Sequence, residues 1–515
     1  MERRARVIFA SLLVGLLAAC GEPREPRPIG GSEALAPAFV GELAAPSPVA
    51  GSVPPHPGLA GEGRAGMHAD GHASDVHPGP GPLGREPRVR SRDGSRRPGG
   101  ACPIHAVTRG GQVVALCASL LGFELQLLAP RTLELLARHA LPGRPSTLAA
   151  LLTLDPDKIM SDSSGAYFYL DEQDRVVIAD ARHNVRRIAP REVAAGRWEL
   201  VESDRWDLSP AVPHDCISLS NLRPQGECDP VTGVLPDFAG RIWWVSRHGR
   251  VGTLDPASGA IRSLRLAGEE IQNGFAVAED GVFVVSDHAL YRLEAGADGE
   301  PEIGWREPYD RGSGRKLGSI NQGSGTTPTL LGEHWVAITD NADERIRLLV
   351  YRRAQETSGP RLVCAVPLFG AGTSATDNSM IAWGRSILVE NNHGFRSAIS
   401  QEDWSAVSGG VARVDVREDE SGCDVAWTSP ERVPSVVAKL SAASGLAYYY
   451  TFETQPNGEN TWHLALDFAT GRTVFRIRTG VGSGYDNNWG AITLAPDGTA
   501  YVGTFQGLVA VWDSR

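Results

Sequence analysis

Between Gly240 and Pro256 the chain reads GRIWWVSRHGRVGTLDP, and between Gly281 and Leu293 it reads GVFVVSDHALYRL. In both, a run of β-branched and aromatic residues ends in a serine, a short polar turn follows, and a second alternating run answers it. That is the period-2 pattern of two strands joined as a hairpin. Related runs occur at Arg175–Asp180, Trp335–Asp340, Ser386–Asn391, Ala447–Phe452 and Ala500–Phe505. A unit of about four strands that returns roughly every 40 to 55 residues predicts an all-β fold, a β-propeller. Blade-like units fall at Cys102–Pro142, Ser161–Ser203, Val231–Leu266, Asn273–Glu307, Thr326–Pro367, Asn378–Ser429, Ser435–Thr479 and Asn488–Arg515. The last shows three strands, so a strand near Cys102 is expected to complete it and remove the free edge. Sharing that strand would leave seven blades; eight is the preferred count.

A propeller adds one layer of core per blade, so 515 residues with 42% hydrophobic content are compatible with one large domain. The net charge of −11, with no basic patch, excludes a nucleic-acid backbone as partner.

The N-terminus is organised differently. Arg3, Arg4 and Arg6 precede an apolar run from Val7 to Ala19 that is too short to span a bilayer, the pattern of an export signal over residues 1–20. Leu17-Ala18-Ala19-Cys20 resembles the lipobox of bacterial lipoproteins, which implies acylation of Cys20 and attachment to the membrane through that lipid alone. Gly21 follows, not the Asp that retains such proteins in the inner membrane, so the resemblance implies the outer membrane, facing the periplasm or the cell surface. From residue 21 to 100 the composition is Pro, Gly, Ala and charge, with few aliphatics. Such a stretch lacks the apolar surface to offset its ordering entropy and is expected to be a disordered tether, with the folded domain at 101–515. His68, His72 and His77 lie within it, and no predicted element fixes them for a metal.

Six further cysteines in an exported chain are expected to form disulfides, for which 15 connectivities exist. Proximity favours Cys102 with Cys117 and Cys216 with Cys228, leaving Cys364 with Cys423. No Cys-x-x-Cys or Cys/His spacing suggests a metal cluster.

Single blades carry resemblances. Asp174–Ile188 resembles an NHL repeat, and Arg241–Pro256 is similar to blades of the regucalcin/gluconolactonase and virginiamycin B lyase propellers. Leu466–Phe475 and Leu254–Gly259 resemble the quinoprotein dehydrogenase repeat, although Phe475 stands where that repeat has Trp. With no adjacent Cys-Cys pair either, pyrroloquinoline quinone is not expected as a cofactor.

With strands named A to D from the axis outward, D-to-A and B-to-C connections share one face. That face collects the oxygen-bearing side chains: Asn273, Asn321, Asp377, Asn378, Asp486, Asn487 and Asn488 before A strands, and Asp180, Asp287, His288, Asp340, Asn341, Asp343, Glu390, Asn391, Asn392 and His393 after B strands. The A-to-B turns are bland. Oxygen ligands near an axis suit a polyhydroxylated ligand or a hard cation such as calcium, held by Glu390, Asn378, Asn488 and Asn273. The similarity of Asn273-Gly274 to the regucalcin calcium position implies the same. Asp180, Asp287 and Asp340 equally suit Asx-turns, since Asp after a strand bonds its own backbone. Two long connections, Asp204–Thr232 and Tyr309–Gly325, belong to this face, the second bringing Arg315 and Lys316 for an anionic group.

These residues support a lipid-anchored module that binds a small polar ligand, glycan or protein partner. The alternatives are a calcium-assisted hydrolase or lyase with Glu390, Asp340 and His393 as its acid–base groups, and a quinoprotein-like oxidoreductase. No Gly-x-Ser-x-Gly elbow is present.

Overall fold

The computed structural model describes residues 26–30, 37–94, 100–119, 122–146, 167–218, 221–396, 404–455 and 458–514. The export signal and Cys20 lie outside them. Eight antiparallel sheets follow one another along the chain. Blade 1 runs from the strand Ile104–Val107 to Leu135–Leu141, blade 2 from Tyr169–Leu170 to Arg197–Asp207, and blade 3 from Val231–Pro236 to Ile261–Arg265. Blade 4 runs from Ala276–Ala278 to Pro301–Pro308, blade 5 from Thr329–Leu331 to Leu362–Pro367, blade 6 from Ile381–Trp383 to Cys423–Ser429, and blade 7 from Lys439–Ser441 to Thr473–Val481. Blade 8 contributes Ile492–Leu494, Ala500–Thr504 and Gly507–Asp513. The eight-bladed expectation holds.

Burial explains the two kinds of strand pattern. Ile242–Ser246, a B strand, is buried at every position, because adjacent blades cover both of its faces. The outermost Leu362–Pro367 and Cys423–Ser429 are mostly half-buried or exposed. The core is a set of apolar layers between blades; one joins Leu331, Ala337 and Leu348 of blade 5 to Met380, Ile387 and Val414 of blade 6. All three disulfides pair as expected: Cys102–Cys117, Cys216–Cys228 and Cys364–Cys423. The last ties the outer strands of blades 5 and 6.

The region 21–100 departs from the expectation. Three strands lie inside it: β1 (Phe39–Gly41), β2 (Val76–His77) and β3 (Pro87–Asp93). β3, not a strand near Cys102, completes blade 8, pairing antiparallel with Gly507–Asp513 from Pro87↔Asp513 to Asp93↔Gly507. Blade 1 therefore keeps four strands of its own. β1 adds to the outside of blade 7 (Phe39↔Ile477), and β2 lies parallel to its innermost strand (Val76↔Leu440).

Between β1 and β3 the chain enters the central channel and fills it. Inner-strand amides point at its carbonyls in rotation: Val277 of blade 4 donates to Gly71 O, Leu330 of blade 5 to His72 O, Ala382 of blade 6 to Ser74 O, and Leu440 of blade 7 to Asp75 O. On the other side Leu170 of blade 2 donates to Ala65 O. Composition missed this because the segment is held by backbone hydrogen bonds to a preformed wall, not by an apolar face of its own. Its small residues fit where larger ones would not; a Cβ on Gly63 would lie 2.7 Å from Val76 O. The domain boundary expected at 100/101 is therefore corrected: the described residues between 37 and 94 belong to the propeller.

Candidate functional site

The candidate residues cluster on the face carrying the D-to-A and B-to-C connections, and most of them are engaged with the protein itself. The loop Tyr309–Gly325 lies over this face and is tied down by them. Asn341 donates from Nδ2 to Arg311 O (2.7 Å) and Gly314 O (2.9 Å), Asn273 donates to Gly325 O, and the Ile320 amide donates to Asp377. Arg311 pairs with Asp287 (2.6 Å), whose other oxygen meets His288 Nδ1 at 2.8 Å. Lys316 Nζ donates to Ala342 O, and Arg315 remains exposed. Asn321 is half-buried in the same loop.

Asp340 behaves as the turn residue that its position allows. Its Oδ1 accepts from the Arg347 amide (2.6 Å) and its Oδ2 pairs with the Arg347 guanidinium (2.6 Å). Burial raises its carboxyl, with the Arg347 contacts opposing. Asn391 accepts from Ala375 N and His393 N and donates to Thr373 O and Gly409 O, and Asn392 bridges Asp377 N and Pro434 O. These two carboxamides pin the B-to-C turn of blade 6 to its own blade and the next. His393 contacts Ser408 Oγ at 3.1 Å; burial and the Lys316 charge lower its affinity for a proton.

Glu390 and Asn378 do come together. Asn378 Nδ2 donates to Glu390 Oε2 (2.8 Å) and to Val436 O (2.9 Å). Glu390 is buried, and burial holds its carboxyl well above the usual carboxylate range; Asp75 adds to the shift while Asn378 and Lys439 oppose it. Burial here works against a bare carboxylate, and a divalent ion bound at this point would have to offset that cost. Asn273 accepts from Tyr167 OH (3.1 Å), and Asn488 is half-buried before the inner strand of blade 8. Beside Glu390, burial pushes the Asp377 carboxyl up to about 7 against the pull of the Ile320 amide, Arg315 and Arg247.

Two functional groups in the channel escaped sequence reasoning. Lys439, on the innermost strand of blade 7, is 1% exposed. Its Nζ donates to Asp75 Oδ1 (2.5 Å) and Met67 O (2.7 Å). Asp75 Oδ2 takes Ser379 Oγ (2.5 Å) and His68 Nδ1 (3.3 Å). Burial opposes the Asp75 charge, and Lys439 with His68 outweighs it, so the carboxyl is held below its ordinary range. The one available signal was that Lys439 is among only three lysines in the chain. Elsewhere, Glu227, Asp229 and His248 bring one ligand atom each within 4.8 Å of one another. Arg250 pairs with Asp229 at 2.6 Å and stands 3.7 Å from Glu227, which makes the cluster an ion-pair network.

No family model matches the chain, and no curated protein matches it. Solved structures similar to it include BamB from Moraxella catarrhalis, at 14% identity over 66% of this chain and 94% of that one, with a TM-score of 0.37. Chaetomium thermophilum Sqt1 bound to the N-terminus of the ribosomal protein L10 is 10% identical over 78% and 93%, with a TM-score of 0.45. The computationally designed Ika8 protein is 11% identical over 80% and 96%, with a TM-score of 0.39. The propeller assignment rests on the sheet topology and not on these likenesses.

Proposed function

We propose that the chain is an exported, lipid-anchored propeller that binds a small polar ligand, glycan or protein partner through its D-to-A/B-to-C face. The observation that carries this reading is the engagement of every acid–base candidate: Asp340 with Arg347, His393 with Ser408, and Glu390 buried against Asn378. A calcium-assisted hydrolase would need one of these groups freed for the metal or the substrate. Recognition by surface loops needs none. The rim of this face offers Arg315 and Leu317 in one loop and Leu222 and Arg223 in another, all exposed, the mixture of charge and apolar tips found in binding loops carried on a rigid scaffold.

Photo-crosslinking in the native host tests it. A benzophenone amino acid at Arg315 should yield a discrete adduct, while the same group at Glu333, in an A-to-B turn, should not. Adducts of equal yield from both positions, or from Glu333 alone, would reject the assignment of the binding face.

A further inference from the structure

The route of the N-terminal segment determines where a lipid on Cys20 must leave the propeller. Asp93, the last residue of β3, pairs with Gly507, the first residue after the B-to-C turn of blade 8, so β3 ends on the D-to-A/B-to-C face. The first described residues run beside that end. The Asp93 amide donates to Arg27 O (2.8 Å), the Ile29 amide to Ser91 Oγ (3.2 Å), and Tyr485 OH, in the D-to-A connection before blade 8, to Ile29 O (3.0 Å). Ile29 is 3% exposed. Read backwards from Ile29 to Arg27, the chain thus climbs toward this face. Only five residues separate Pro26 from Cys20, and the six steps between them span at most about 20 Å even when fully extended. A long tether would have left the propeller's orientation free; this attachment does not.

We propose that the D-to-A/B-to-C face lies against the phospholipid surface to which the chain is anchored, so that what it binds is presented at the bilayer. The proposal rests on acylation of Cys20, which belongs to the reading above. Two loops on this face are shaped for such contact. The Asp204–Thr232 connection carries Leu222, 54% exposed, next to Arg223, and the Tyr309–Gly325 loop carries Leu317, 56% exposed, two residues from Arg315. An aliphatic tip beside a guanidinium fits the headgroup boundary, the one entering the acyl edge and the other pairing with phosphate. Three acids on the face are paired with arginine, Glu270 with Arg247 (3.1 Å), Asp287 with Arg311 (2.6 Å) and Glu227 with Arg265 (3.5 Å). The opposite face presents exposed Glu279, Asp298 and Glu333 in its A-to-B and C-to-D turns, which an anionic bilayer repels.

Hydroxyl-radical footprinting of the mature full chain tests this on vesicles of phosphatidylethanolamine and phosphatidylglycerol, with the soluble Cys20→Ser chain as reference. Leu222 and Leu317 should be labelled several-fold less on the vesicles, while Leu43, which follows β1 at the far end of blade 7, should be labelled equally in both. The mass of the N-terminal peptide reports acylation separately. Acylated protein whose Leu222 and Leu317 label as in the reference, or whose Leu43 is protected instead, overturns the orientation and leaves the anchor standing. A Cys20 that carries no acyl mass removes the anchor and this proposal with it.

Discussion

The blades and the segment that fills their channel are held by opposite means. Each blade carries an alternating apolar pattern and buries it against its neighbours, as Trp243 and Val245 do between blades 3 and 4. The channel segment has little apolar pattern. It is fixed by carbonyls facing inner-strand amides, by glycines where the wall comes close, and by ion pairs of Asp75 with Lys439 and of Arg64 with Asp174. Apolar periodicity reports only the first kind of order. A Pro- and Gly-rich stretch with low hydropathy can still be structured when the rest of the protein supplies its hydrogen-bonding surface, since burial then satisfies the backbone of both partners.

The largest expected break in this comparison comes from deleting residues 26–94. The deletion removes the outer strand of blade 8, leaves Gly507–Asp513 as an open edge on the outside of the propeller and separately empties the central channel, so the product should be insoluble or unfolded on expression. A soluble product with the wild-type melting temperature would return the segment to the role of a tether.

A smaller change isolates the Asp75–Lys439 ion pair. Lys439→Met leaves the Asp75 carboxylate buried without its cation and should cost about 3–5 kcal/mol in chemical denaturation, the usual penalty for stranding a buried charge. Adding Asp75→Asn should recover most of it. Asn tolerates the left-handed backbone at this position, where φ is 56°. A double variant as unstable as the single one would show that the pair is not what pins the segment.

The pH dependence follows from buried histidines in both regions. Burial holds His56, His77 and His105 down to about 4, and His72 and His463 down to about 3. From about pH 6.5 down to these values the unfolded chain takes up protons that the folded chain refuses, so stability falls as pH falls through that window. Asp70 and Asp377, pushed up to about 7 by burial, act in the opposite sense, because there the folded state holds the extra protons. With His183 and His393 also lowered and Glu390, Asp340 and Asp513 also raised, seven groups against five give a melting temperature that declines between pH 6.5 and 4. A flat or rising profile would mean that water reaches the channel.

The smallest effect is expected at Glu390. Because burial favours the uncharged form of this carboxyl, Glu390→Gln, which keeps the shape and an acceptor for Asn378, should change stability by less than about 1 kcal/mol, with the same melting temperature with and without calcium. A calcium-dependent rise in wild type that this variant loses would revive the metal reading.

The sequence made the blades, their number, the disulfide pairs and the oxygen-rich face legible, because strand alternation and turn residues are local signals. It did not reveal what Asn273, Asn341 and Asp377 do, which is to hold the Tyr309–Gly325 loop. A carboxamide that caps a distant loop and one that awaits a ligand have the same local sequence. It also misplaced the closing strand. Pro87–Asp93 reads PRVRSRD, and its partner residues lie more than 400 positions away, so nothing near it in the chain announces the pairing.

Amide hydrogen exchange on the intact protein tests the central claim most directly. Val76 and His77 should exchange as slowly as the inner strands of blades 5 to 7, since their amides and those of the wall are closed off together, and the amides of residues 87–93 that pair with Gly507–Asp513 should be protected like those of the outer strands of the other blades. Exchange of residues 60–93 at the rate of an unstructured peptide, with the blades still protected, would contradict the account.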